Sequence, residues 1–333
     1  MRNIISKTTV LVLTVLIISC SKEDLQNNDQ QVLPNTYPLQ ETSLHPEGID
    51  YSNETEKTYV GSYYKGKIVT LDLNGNMNDF VIDESLVAVV GIRVDEANNR
   101  LWVCNSDAGI SLKSDPSTIG QLAEVIAYDL ITGEKLVTID LSGLFPGGHF
   151  LNDLVLDDNG NIYVTDSFSP VIYKIDENEN PSILVSDSIF DVPQGTFGLN
   201  GIVYHEDNYL IVGKSFGGVL YKVALSNPND VQEITLNTPV NSLDGLLLTN
   251  DELILVSNNF TGAPFDETIY KIETSNDWTS ASVTNTFTAL DGIYPTTITL
   301  IEYELYVNFG YFPELVDPNS VAHDNFKLQK ISF

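Results

Sequence analysis

The sequence predicts an all-β protein, a six-bladed β-propeller, on three observations. A hairpin-like unit recurs six times, each copy is followed by a further strand-like run, and no stretch sustains the 3.6-residue apolar period of a helix. The clearest copy is His149–Ser167, HFLNDLVLDDNGNIYVTDS. Its run Leu154–Leu156 leads into Asp157-Asp158-Asn159-Gly160-Asn161, and Ile162–Thr165 follows, ending at Asp166-Ser167. Two strand-length runs about an Asp/Asn/Gly turn form a β-hairpin, so its two ends lie at one end of the sheet.

The other copies follow in order. EGIDYSNETEKTYVGS runs from Glu47 to Ser62, and VGIRVDEANNRLWVCNS, one residue longer, from Val90 to Ser106. After the central copy come NGIVYHEDNYLIVGKS from Asn200 to Ser215, DGLLLTNDELILVSNN from Asp244 to Asn259, and PTTITLIEYELYVNFG from Pro295 to Gly310. Their third runs are IVTLDL, VIAYDL, VIYKID, VLYKVAL, TIYKIE and FKLQKISF. Starts 43 to 62 residues apart match the length of a propeller blade, whereas a sandwich or barrel predicts no such self-similarity. The last unit lacks a fourth run after Phe333, so residues near Tyr37–Ser43 are expected to supply it and close the ring.

The start of the chain reads differently. Arg2 and Lys7 precede the apolar run Val10–Ile18, too short to span a bilayer, which ends in Ile17-Ile18-Ser19-Cys20. Residues 1–19 are therefore expected to be an export signal. The cysteine resembles the lipobox of bacterial lipoproteins, although Ile17 and Ile18 stand where Leu and Ala are usual. That pattern implies lipidation of Cys20 and anchoring in the bacterial cell envelope, the alternative being an ordinary signal with an incidental cysteine. Residues 20–36 are polar and suit a flexible tether, leaving 37–333 for the propeller, expected as a monomer.

Composition narrows the function. With 42% hydrophobic residues the 333-residue chain has material for a sizeable core. A formal net charge of -30 argues against nucleic-acid partners and favours cations. Cys104, the one cysteine of the body, sits in the apolar run LWVC and suits a buried, inert thiol better than a nucleophile.

Aligned at the start of the inner strand, the units present Glu47, Val90, Asn152, Asn200, Asp244 and Pro295. Inner strands of a propeller line its axis, so Glu47, Asn152, Asn200 and Asp244 should converge as hard oxygen ligands for a divalent cation, Ca²⁺ above all. Asn-Gly and Asp-Gly are also common turn pairs, whereas glutamate in the same register is not a turn former.

These motifs, EGIDY, NDLVLDDNGNIYVTDS, LNGIVYHEDNYLIVGKS and LDGLLLTNDELILVS, together resemble the senescence-marker-protein/gluconolactonase (regucalcin-like) family of six-bladed propellers. The resemblance spans nearly all of the chain after residue 44. It implies that Glu47, Asn200 and Asp244 bind a divalent cation, with Asn152 at the metal or on substrate. The sequence departs from the family at Phe150, where sugar lactonases carry an arginine that holds substrate hydroxyls.

Fourteen residues after each first-column position stand Gly61, Asp166, Lys214, Asn258 and Phe309, with Asn105 in the longer unit. Just beyond them come Tyr63, Phe168, Phe216, Phe260 and Tyr311. Apolar walls about a few convergent polar groups describe a small-molecule pocket, so Asn152, Phe150, Asp166, Lys214, Asn258, Phe168 and Phe216 are the candidate substrate contacts. Packing between blades is the other role open to these rings. Asp244, or His149 three residues before Asn152, is the candidate to handle a proton. The recurring Ser62, Ser106, Ser167 and Ser215 suit a structural role, since no G-x-S-x-G stretch is present. The expected activity is metal-dependent hydrolysis of a lactone or related ester; the alternative is a binding or scaffold propeller with a structural ion.

Overall fold

A computed structural model of the chain describes residues 32–260 and 267–333, so the proposed export signal and Cys20 lie outside the described residues. The fold is a β-propeller. Its six innermost strands are Pro46–Ser52, Ala88–Asp95, Leu151–Leu156, Leu199–His205, Leu243–Thr249 and Pro295–Ile301. Each touches the next, and the last touches the first, so they close around an axis.

Each innermost strand begins an antiparallel four-stranded meander, but the sheets do not number six. Four are separate four-stranded sheets, and the fifth has eight strands. Within it, the outer strands Val231–Leu236 and Ser280–Phe287 pair in parallel, Thr235 opposite Ser280 and Leu236 opposite Ala281, which fuses two meanders. The expectation of six independent blades is modified to that extent. The closing strand lies where the missing fourth run required: Thr36–Leu39 pairs antiparallel with Phe326–Ile331 as the outermost strand of the last sheet.

The core lies between the sheets. Middle strands are covered on both faces, which explains runs without alternation: Ile162–Asp166 is buried at every position, and so are five of six residues in Tyr209–Lys214. Tyr59 and Ile68 of the first meander share one cluster with Leu101 and Val103 of the second, and Ile172 and Val185 of the third share another with Leu210 and Tyr221 of the fourth. Truncating a fully buried residue such as Leu210 to Ala costs about 2–5 kcal/mol. Outer strands such as Met77–Val81 and Pro181–Ser186 carry polar residues toward solvent. Helix is confined, among the described residues, to Phe312–Val316 and two short 3₁₀ turns.

Candidate metal centre and pocket

All six inner strands share one irregularity. The pairing with the second strand skips between Pro46 and Ile49, Val89 and Ile92, Leu151 and Leu154, Leu199 and Ile202, Leu243 and Leu246, and Pro295 and Ile298. The two residues inside each skip form a bulge, which re-aims a side chain out of the ladder. Those bulges are Glu47-Gly48, Val90-Gly91, Asn152-Asp153, Asn200-Gly201, Asp244-Gly245 and Thr296-Thr297. The first-column position in the last unit is therefore Thr296, not Pro295.

The glycines are not turn residues. A Cβ on Gly48 would lie 2.2 Å from Val90 O, and one on Gly201 would lie 2.4 Å from Asp244 O. Each lets the next inner strand approach closely, drawing the ring tight around the axis.

Glu47, Asn152, Asn200 and Asp244, each 6% exposed, together form the floor of a cavity. Their orientation follows from their supports. Ser167 Oγ donates to Leu199 O, so toward Asn152 it can only accept, and Asn152 Nδ2 donates to it at 3.0 Å. Ser215 Oγ likewise donates to Leu243 O and accepts from Asn200 Nδ2 at 3.1 Å. With both amide nitrogens so committed, the carbonyl oxygens are the groups left for a cation. Asn258 Nδ2 donates to Asp244 Oδ2 and to Pro295 O, while Thr296 Oγ1 and Asn308 Nδ2 both donate to Glu47 O. The Glu47 backbone is thus fixed, yet its carboxylate has no hydrogen-bond partner among the described residues.

The charges are unbalanced. Asp50 and Asp153 share the lower channel with Arg93, whose guanidinium reaches Asp153 Oδ2 at 3.3 Å and whose Nε donates to Leu154 O. Four interior carboxylates thus face one guanidinium. Burial, and next the negative charges of Asp244 and Asp153, push Glu47 well above the usual carboxylate range, with Arg93 opposing. Burial likewise pushes Asp244 up to about 7, against the hydrogen bonds from Asn258 and Asn200. Two carboxylates, two amide oxygens and an excess of negative charge fit a hard divalent cation whose remaining positions water would fill. Among the described residues no group of three or more His, Cys, Asp or Glu could hold a metal, so the fit rests on the mixed carboxylate and amide set. Cys104 is fully buried beside this channel and burial pushes its thiol up, in keeping with an inert residue.

Above the floor the cavity measures about 580 Å³. Phe150, Phe216 and Asn258 line it as expected, together with Tyr63 and Phe260. Five expectations fail. His149 opens onto a separate groove with Ser142 and Phe145, and its Nδ1 binds Asp166 Oδ2 at 2.8 Å, a bond that raises its pKa against the effect of burial. Asp166 is fully buried and also accepts from the backbone N–H groups of Phe150, Phe168 and Ser169, so it anchors a loop. Lys214 Nζ donates to Ile189 O at 2.7 Å and stands over the Tyr221 ring, away from the cavity. Phe168 packs behind the wall, on Phe150 and Phe197. Tyr311, also expected near the mouth, stacks on His323 instead.

The reason is register. Leu151 pairs with Asp166 and Leu199 with Lys214, but Pro46 pairs with Ser62 and Leu243 with Ser257. Hairpin lengths differ, so a constant offset of fourteen mixes three registers, and a one-residue slip changes the face of the sheet. The position that faces the site is one beyond each pair: Tyr63, Ser167, Ser215 and Asn258. The offset passes over Ser167 and Ser215, whose expected structural role is that of supports of the ring. It also missed Tyr294 and Phe312, which lie outside the repeat and carry no periodic signal.

The fold and its axial oxygens thus define a β-propeller with an acidic centre beneath an aromatic pocket. A model of the major royal jelly protein family matches residues 87–212. No curated protein sequence matches. Among solved structures, the major allergen Mala s 1 of Malassezia sympodialis superposes with a TM-score of 0.69 at 17% identity, over 90% of this chain and 97% of that one. A gluconolactonase from Xanthomonas campestris gives 0.60 at 12% identity, over 89% of each chain. The calcium-binding protein regucalcin from Agrobacterium tumefaciens gives 0.57 at 11%, over 87% of this chain and 92% of that one. Identities this low carry the fold alone, and at that level they agree with the resemblance found in the repeats.

Proposed function

We propose that the chain is a metal-dependent hydrolase of lactones or related esters, with Ca²⁺ as the resident ion. The observation that carries this reading is the set of Glu47, Asn152, Asn200 and Asp244 oxygens, only partly offset in charge by Arg93, at the floor of a cavity that opens to the surface. When bound there, a divalent cation supplies Lewis-acid polarisation of the substrate carbonyl. The chain's own residues do the rest. Glu47, Asn200 and Asp244 hold the ion, and Asn152 orients the carbonyl. Asp244 is the carboxylate placed to take the proton of an attacking water, because His149 opens elsewhere. The aromatic wall excludes bulk water and strengthens these interactions. A panel of lactones and esters assayed with Ca²⁺, Mn²⁺ or Zn²⁺ tests the proposal, and absence of turnover with all three ions overturns it.

The departure of His149, Asp166 and Lys214 from the cavity favours a second reading, a binding propeller in which the ion only ties the strands together. Asp244→Ala separates the two: an enzyme loses turnover, whereas a scaffold loses stability and had no turnover to lose. The basic and apolar start of the chain and Cys20 support an exported, lipid-anchored protein of the bacterial cell envelope. Retention of label from an azido fatty acid by the wild type but not by Cys20→Ser tests this.

A further inference from the structure

We propose that the pocket takes an uncharged, mainly apolar ester or lactone, with its carbonyl head on the floor and an alkyl or aryl body against the wall. This rests on the hydrolase reading above and names its substrate class.

Three features carry it. First, among the described residues no lysine, arginine or histidine lines the cavity, and its only acids are Glu47 and Asp244. An anionic body would meet no cation above the floor, and leaving its charge unpaired weakens binding. Second, the wall is a continuous array of rings. Phe150 touches Phe197 with centroids 5.4 Å apart, and Phe312 touches both Tyr63 and Tyr294, at 4.9 and 5.3 Å. The array reaches the surface at Phe197 and Phe260, 39% and 36% exposed, and Phe216, 47% exposed, lines the cavity there too, so an apolar body would find cover from floor to rim. Third, the Tyr63 hydroxyl is buried and, among the described residues, has no acceptor for its proton. A buried donor without an acceptor is rare unless a ligand supplies one. Tyr63 lines the same cavity as Glu47 and Asp244, where the carbonyl or ring oxygen of an ester head would meet it. Phe150 belongs to this design: it extends the wall where a charged side chain would otherwise hold hydroxyl groups.

The test is isothermal titration of the full chain with Ca²⁺ present, using 2-alkylcyclopentanones as non-hydrolysable heads with tails of increasing length. Affinity is expected to rise about fourfold per added methylene until the tail reaches the rim. Decanoate and glucono-1,5-lactone should bind at least tenfold more weakly than the decyl ketone. Phe216→Ser should weaken the long-tailed ketones severalfold and spare the short ones. Tyr63→Phe should weaken every ketone about tenfold while leaving decylbenzene unchanged, a split that mere loss of packing would not produce. Affinity independent of tail length, tighter binding of decanoate or decyltrimethylammonium than of the ketone, or no effect of Tyr63→Phe on the ketones would overturn the proposal. Tail-dependent ketone binding without turnover of any lactone sinks the hydrolase reading and leaves this one standing. Lactone turnover indifferent to tail length does the reverse.

Discussion

The stretch 149–167 carries two polar clusters on opposite sides of Phe150, and they differ in what their charges touch. On one side Asp166 receives the His149 imidazole at 2.8 Å and the amides of Phe150 and Phe168 at 2.9 and 3.0 Å, all from the protein itself. On the other, Asn152 and the carboxylates of Glu47 and Asp244 share a floor whose negative charge Arg93, among the described residues, offsets only in part. A fully satisfied buried network stiffens a fold, whereas an undersatisfied one is where a ligand is missing. A histidine–aspartate pair looks more like chemistry than two asparagines do, yet here the asparagines face the cavity.

The sharpest way to break that contrast is to remove one acid from each side. Asp244→Asn should lower kcat/KM at least a thousandfold and abolish the rise in Tm that Ca²⁺ produces. Asp166→Ala should act in the opposite sense, leaving the His149 ring and three backbone amides without their acceptor. A loss of about 3 kcal/mol in urea unfolding is expected, with kcat within about threefold of wild type. Were Asp166→Ala to lose activity as deeply as Asp244→Asn at full stability, the division between the clusters would be wrong.

Next in size is the response to pH with and without the ion. Glu47 and Asp244 have folded pKa values raised above their unfolded ones, Asp244 to about 7. In the metal-free protein the folded state therefore binds more protons than the unfolded chain between about pH 4 and 7. Their contribution to stability is present below that window and lost as pH rises through it. His149 is also raised, so its contribution is lost as pH rises through its folded value. The two clusters then separate by rescue. Ca²⁺ at a thousand times its Kd should add about 4 kcal/mol at pH 8 and distinctly less at pH 5, where protons compete for the carboxylates. The decline due to His149 should persist in Ca²⁺ and disappear in His149→Gln. Tm measured from pH 4 to 9 in EDTA and in Ca²⁺ checks both.

A smaller effect is expected at the glycines that bring the ring together. In Gly201→Ala the new methyl would stand 2.4 Å from Asp244 O and 2.8 Å from Leu246 N, both backbone atoms that cannot swing aside. The inner strand carrying Asp244 must shift, with about 2–3 kcal/mol lost and Ca²⁺ affinity reduced with it. No such coupling is expected from Gly143→Ala, whose Cβ would meet nothing within 4 Å.

How much of this was legible in the sequence follows from what repeats. The hairpins, their order, the closing strand and the axial Glu47, Asn152, Asn200 and Asp244 all sit at positions defined from the start of a strand, and each unit restates them. Asp166 and Lys214 were misplaced because they were counted across turns of unequal length, where one residue decides the face. Pro295 was misplaced for a related reason: without the bulge, nothing in PTTITLIEY marks which residue leaves the ladder. Tyr294 and Phe312 lie outside the repeat, one with φ +59° in a loop and the other opening a five-residue helix, so no periodicity announces them. Phe150 marked the departure from the family's pattern, and it lines the aromatic wall of the cavity.

The finest test concerns two serines that each donate to a leucine carbonyl but have different neighbours. Ser215 Oγ donates to Leu243 O and accepts from Asn200 Nδ2, while Ser62 Oγ donates to Leu44 O and accepts from the backbone N–H of Lys65. Replacing either by Ala removes one donated and one accepted bond, so both variants should lose about 1 kcal/mol. Only Ser215→Ala frees an axial amide to rotate. Once turned, Asn200 would offer its nitrogen to the cation, and loss of such a support typically weakens metal binding 10–100-fold. Ca²⁺ titration of both variants should therefore show about a tenfold loss in Ser215→Ala and none in Ser62→Ala. Equal losses would mean that the serines act on the ring only through strand packing, and that the amide orientation inferred for Asn152 and Asn200 is not what prepares the site for its ion.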